Sequence, residues 1–290
     1  MAKSKFSLIA HPWLFLLIFI VATIICQILI GVILVVVFKL QQGTQTFSAW
    51  GELFGNLLLL FFVVPFILGF PKRSKPYETY LDEIRLTRIK PLLKLILLAI
   101  SCYLILALCQ VAGVLVYRLI HHQPINMSFM RYAFVITNEL PPHSSSWFYS
   151  FPSVTEEVAF RGVVLAMFLR FYNQPKAILF SALGFGAIHL GNILYGGNPT
   201  WVVSMALWAV LLGLFYGYVT IKADSLLPAM LVHYLGNMFV SALNAYLQNN
   251  ASILEQSIYG IIFTMGVVPV ILMILWVRGY TSWTKLALAT

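Results

Sequence analysis

Apolar stretches of roughly twenty residues follow one another along the whole chain, and this recurrence decides the fold class before any motif is read. A helix of about 20 apolar residues crosses the hydrocarbon core of a bilayer, where every backbone polar group must be satisfied within the segment. About eight such stretches can be drawn, at 12–38, 50–70, 92–120, 147–171, 177–195, 200–221, 226–247 and 258–277. Of the 290 residues, 61% are hydrophobic and only 9% charged, which excludes a soluble domain. The expectation is an all-α polytopic membrane protein of about eight transmembrane helices. The first stretch is too long for a removable signal peptide and lacks a small-residue cleavage site, so it reads as a span.

The formal charge of +9 has two readings, nucleic acid or membrane orientation. The distribution decides between them. With the N-terminus inside, only Lys39, Arg118 and Arg131 of the 18 Lys and Arg fall in outer segments, and Arg161 falls within a span. The other basic residues all lie on the inner side, which is the positive-inside pattern and sets N-in/C-in. The charge therefore serves orientation and contact with anionic lipid, not nucleic acid. Residues 72–90, KRSKPYETYLDEIRLTRIK with its neighbours, mix charge with Tyr77, Tyr80, Leu81, Ile84 and Leu86 and read as an interfacial amphipathic helix. Cys26, Cys102 and Cys109 lie in apolar runs without metal or redox spacing. The loop residues His121, His122 and His143 read as solvated.

Against this background the stretch TEEVAFRG, residues 155–162, is anomalous. A charge at mid-membrane costs roughly 2.5–3.5 kcal/mol on insertion scales, so a group of them needs partners or a solvated cavity. Glu156 and Glu157 are the acids well inside a span, with Glu52 at the end of one. His189 in FGAIHLGN, and His233 and Asn237 in LVHYLGN, are the other polar groups at depth. Counting about 1.5 Å per residue from the inner ends, Glu156 lies at about 21 Å, His189 and Asn237 at about 20 Å, and His233 at about 14 Å. Three helices thus bring polar side chains to a common level.

Helical spacing divides the labour. Glu157 and Arg161 are four apart on one face and read as a neutralising ion pair. Glu156 is turned about 100° away and is free to face a cavity. A carboxylate, two imidazoles and an amide suit activation of water and stabilisation of an oxyanion, hence hydrolysis of a peptide bond within the membrane. Two His and one Glu (His189, His233, Glu156) could instead hold zinc, so the metal question stays open and no cofactor is favoured. There is no HExxH and no GxSG-type serine, and Asp82 and Asp224 are not at mid-membrane for an aspartyl pair.

EEVAFRG, FGAIH and HYLGN resemble, in order, the EExxxR, FxxxH and HxxxN motifs of the CPBP family of intramembrane proteases, which includes CAAX-processing endopeptidases and bacteriocin-processing or immunity proteins. The resemblance implies a protease core over 121–290, preceded by three further spans over 1–120. It also implies that Glu156 activates water with help from His189, that His233 and Asn237 stabilise the oxyanion, and that Glu157 and Arg161 support them. The implied partners are membrane lipids and a peptide or lipidated protein substrate, and the implied location is a prokaryotic cytoplasmic membrane, no retention or targeting signal being seen at KLALAT. Two alternatives stand beside this: a non-proteolytic scaffold or immunity protein, and a proton-coupled transporter using Glu156 and the histidines as a relay.

Overall fold

The computed structural model describes residues 11–68, 76–125, 148, 150–238, 246–247, 250–264, 266–284 and 286. Every regular element among them is helical. Helix α1 is Pro12–Val36; α2 begins as Gln45–Leu58, widens into a π turn at Leu59–Val63 and resumes over Val64–Ile67. The short α3 is Pro76–Glu83 and the long α4 is Leu92–Ile120, with the bounds expected from sequence. Helix α5 runs over 152–169 with a π turn at Val158–Val164; α6 is Gln174–His189, followed by a 3₁₀ turn at Leu190–Tyr195. Helices α7 (Pro199–Ala223), α8 (Leu227–Met238), α9 (Ile253–Tyr259, then a π turn at Gly260–Thr264) and α10 (Val267–Thr284) complete the set.

Local chemistry explains most of the starts. Proline stands in the first turn of α1, α5, α6 and α7, where its missing N–H costs nothing. Side chains of Thr44, Asn173 and Asn198 accept from the exposed N–H groups that open α2, α6 and α7. At α9, Ser252 and Glu255 form a reciprocal capping box.

Among the described residues six helical segments are long and apolar enough to cross a membrane: Pro12–Val36, Thr46–Ile67, Leu92–Ile120, Gln174–Ile193, Pro199–Ala223 and Ile253–Thr284. The expected fourth span is α5, whose 18-residue length carries Glu156, Glu157 and Arg161. The seventh is described as a helix only over Leu227–Met238, so the expected total of eight exceeds what length and composition alone mark as spans. The lipid-facing character is plainest on α1, where Leu17, Val21, Ile25, Ile28 and Val32 are exposed.

Two buried clusters organise the bundle. The first joins α1, α2, α3, α5 and α6 through Phe15, Leu59, Tyr80, Phe160 and Phe185. The second joins α4, α7, α8 and α10 through Leu98, Phe215, Val232 and Met273. Helix α7 contributes to both, with Ala209 on one side and Leu212 on the other. Helices α6 and α7 come together on small residues: a Cβ on Gly186 would lie 2.8 Å from the Ala206 carbonyl oxygen, and one on Gly213 would lie 2.9 Å from Ala182. Gly184 and Gly217 also meet close neighbours, Leu16 and Ile178. Gly191 does not: nothing lies within 4 Å of its added Cβ, because it falls in the 3₁₀ turn after α6.

The segment expected to lie on the membrane surface is shorter and turned inward. Its helix spans only Pro76–Glu83, and Tyr80 and Ile84 are buried in the first cluster while Tyr77 stays exposed. The Tyr80 hydroxyl donates to the Leu60 carbonyl at 2.8 Å, within the π turn of α2. Beside it, Arg88 donates to both oxygens of Asp224 at 2.7 and 2.8 Å and to Asp82 at 3.1 Å, and Arg85 donates to Asp224 at 3.0 Å. Arg118, counted above among the outer charges, is buried near the Tyr246 ring, and His121 lies 3.4 Å from Glu255 instead of standing free in solvent. His143 lies outside the described residues. The three cysteines are free and buried.

Candidate active site

The site is built on α5. After Pro152, the hydroxyls of Ser153 and Thr155 bond back to the carbonyls of Ser150 and Pro152, and the next two residues are Glu156 and Glu157. The helix then widens, and all seven residues of the π turn are buried. Such turns hold one residue more per loop of hydrogen bonds and recur at functional sites. Here the Phe160 carbonyl within the turn accepts a bond from the buried Ser181 hydroxyl of α6 at 2.8 Å.

Glu157 and Arg161 are wholly buried and form the expected pair, with Arg161 Nε 3.2 Å from Glu157 Oε2. The contact lacks hydrogen-bond alignment, and the guanidinium instead lies against rings: its carbon is 4.2 Å from the centre of Phe185 and 5.2 Å from that of Tyr216. Cation–π attraction in a desolvated setting contributes about 2 kcal/mol or more per contact. Glu157 has a second partner that sequence reasoning did not supply. His233 Nδ1–H donates to Glu157 Oε1 at 2.8 Å, and the His233 ring stacks on Tyr216 at 5.1 Å. Glu157 therefore fixes the orientation of His233 as well as neutralising Arg161.

With Nδ1 occupied, His233 has Nε2 left, and this atom lies 3.8 Å from Glu156 Oε2. Glu156 is partly exposed, with 17% of its side-chain surface accessible, whereas Glu157 has none. The two adjacent acids thus differ as their spacing suggested, one sealed in an ion pair and the other partly exposed. His189 on α6 donates its Nδ1–H to the Phe185 carbonyl at 2.8 Å, so that in the neutral ring Nε2 is an acceptor. Phe185 packs edge-on against both His189 and His233, at 4.8 and 6.1 Å. Asn237 follows His233 by one turn on α8; its side chain is exposed and makes no hydrogen bond to the described residues.

Helix α2 adds a residue that was set aside as lying at the end of a span. Glu52 hydrogen-bonds to Glu156 and lies within electrostatic reach of His189 and His233. One turn later, buried Asn56 donates to the Thr155 hydroxyl at 2.9 Å. The signal was present in GELFGN, where Glu52 and Asn56 stand four apart on one helical face between glycines. The extra turns at the start of α2, from Gln45, move Glu52 away from the helix end.

Among the described residues no three His, Cys, Asp or Glu side chains converge as metal ligands. Each histidine has its Nδ1 hydrogen-bonded to a protein acceptor, which leaves Nε2 as its free ring nitrogen.

A polytopic helical bundle with carboxylates and imidazoles brought together among its helices defines the class: an all-α membrane protein with a candidate acid–base site. Residues 144–239 match the Rce1-like family, described as type II CAAX prenyl endopeptidase. The matched segment covers about a third of the chain and carries all three motifs, from Glu156 to Asn237. No curated protein and no solved structure matches the chain.

Proposed function

We propose that this protein is an intramembrane endopeptidase in which Glu156 activates water against a peptide bond of a membrane-associated or lipidated substrate. The observation that carries the reading is the Glu156 carboxylate, partly open and 3.8 Å from His233 Nε2, next to a sealed Glu157–Arg161 pair. The Glu156 carboxylate takes a proton from water while the oxygen adds to the substrate carbonyl carbon. His189 Nε2 accepts the second hydrogen bond of that water. The carbonyl electron pair moves to oxygen, and the resulting oxyanion is held by His233 and by the Asn237 amide. When the C–N bond breaks, Glu156 returns its proton to the leaving nitrogen and regains its starting form. The basic bias sets both chain ends on the cytoplasmic side of a prokaryotic membrane.

The test uses the full chain in liposomes and an internally quenched peptide ending in a farnesylated CAAX tetrapeptide, with an unprenylated copy beside it. Removing a general base costs about 10²–10⁴-fold in rate, so Glu156→Gln is expected to lose at least a hundredfold in kcat. Equal cleavage by wild type and Glu156→Gln, or none by wild type with either peptide, overturns the reading.

A further inference from the structure

The CAAX-protease motifs account for Glu156, His189, His233 and Asn237 but leave Glu52 and Asn56 of α2 unused. Their placement is specific. Asn56 Nδ2 donates to Thr155 Oγ1 at 2.9 Å with both residues buried, which pins α2 against α5 one residue before Glu156. The same face of α2, one turn earlier, presents Glu52, and its carboxyl group is hydrogen-bonded to that of Glu156. Close approach on the other side of α2 is allowed by Gly55, where an added Cβ would lie 3.1 Å from the Gln27 backbone of α1.

A hydrogen bond between two carboxyl groups needs a proton, since two carboxylates have only acceptors. Like charges at contact in a poorly solvated site also repel strongly, which holds one proton in the pair. The Arg161 guanidinium is committed to Glu157 and to two aromatic rings, so it does not take the place of that proton. One Glu156 oxygen is thereby engaged by Glu52 and the other is left for water.

We propose that Glu52 is the positioning partner of Glu156: its carboxyl O–H donates to one Glu156 oxygen, aims the other at the hydrolytic water, and keeps its proton through the turnover. Glu52 does not touch the substrate and its proton is not consumed, so the water proton still travels by way of Glu156 to the leaving amine. This inference rests on the proposed peptidase reading. The titratable groups that face Glu52 are Glu156 on α5, His189 on α6 and His233 on α8.

The experiment compares wild type, Glu52→Ala, Glu52→Gln and Glu156→Ala in liposomes with the farnesylated quenched peptide, each checked for folding by thermal unfolding. Glu52→Ala is expected to lower kcat about 10- to 100-fold with KM little changed, as befits an interaction made to the reacting group and not to the bound substrate. The amide of Glu52→Gln donates a similar bond, so its kcat at neutral pH stays within about threefold of wild type. Because an amide does not ionise, Glu52→Gln also stays active at alkaline pH where wild type falls, while His189 and His233 are common to both curves. Wild-type kcat in Glu52→Ala, equal losses in Glu52→Ala and Glu52→Gln, or identical alkaline limbs overturn the inference while leaving the peptidase reading intact. Cleavage by Glu156→Ala at the wild-type rate overturns both.

Discussion

Two ion-pair networks in this molecule use the same chemistry in opposite settings. At the protein surface, Arg85 and Arg88 grip Asp224 and Asp82, with side chains that are between 17% and 57% exposed. In the bundle, Arg161, Glu157 and His233 form a chain whose two outer contacts are 3.2 and 2.8 Å and whose side chains are almost fully enclosed. Water solvates the first network whether or not its partners meet. In the second, each charge is tolerated only because the others are present, since an unpaired buried ion costs several kcal/mol. The surface network can lose members one at a time; the buried one cannot.

This contrast can be broken most directly at Arg161. Arg161→Ala leaves Glu157 buried without its cation and is expected to lower stability by about 3–5 kcal/mol, read as unfolding in detergent micelles. The double change Arg161→Met with Glu157→Gln is expected to recover part of that loss, because it removes both charges; no recovery would mean that the two side chains act independently. Next in size, Gly213→Val forces a branched side chain against Ala182 and the Arg161 guanidinium. It is expected to cost about 1–3 kcal/mol, with activity falling in parallel. Asn56→Ala removes one buried hydrogen bond and is expected to cost about 1 kcal/mol in the same assay. Arg88→Ala at the surface is expected to cost about 0–1 kcal/mol, and less still at high salt.

The smallest effect is a matter of pH. The Arg88 guanidinium that hydrogen-bonds Asp82 holds its carboxyl below the ordinary carboxylate range. A lowered folded-state value means that the associated stability is present above about pH 3.9, the unfolded value, and is lost as pH falls through the folded value. Melting temperature should therefore show no pH dependence from Asp82 between neutral pH and about pH 5, where its contribution is fully present. Below that range the Arg88→Ala variant and wild type should converge.

How much of this was readable from the chain differs between elements for physical reasons. Helix α4 was bounded at Leu92 and Ile120 because Pro91 precedes it and the polar run HHQP follows. The Glu157–Arg161 contact followed from i, i+4 spacing, although the turn joining them is π rather than α. The bond from Glu157 to His233 did not follow, because 76 residues separate them and only the packing of α8 against α5 brings them together. Glu52 was passed over because depth was counted from an apolar run beginning near Trp50, whereas the capped helix starts at Gln45. From sequence the 72–90 segment reads as an interfacial amphipathic helix, because mixed charge and aromatic residues do not reveal which side of such a helix has protein beneath it; Tyr80 and Ile84 lie in the core.

The surroundings of Arg161 have a consequence for shape as well as charge. Phe185 on one side, Tyr216 on another and the bare backbone of Gly213, whose added Cβ would come within 3.1 Å of Nη2, leave a slot suited to a flat plate. A guanidinium is such a plate, and a lysine ammonium is a compact, strongly hydrated sphere on a flexible stem. Arg161→Lys preserves the charge opposite Glu157 yet leaves the walls of the slot without a surface to stack on. At this position the fold selects for planarity first and for sign second.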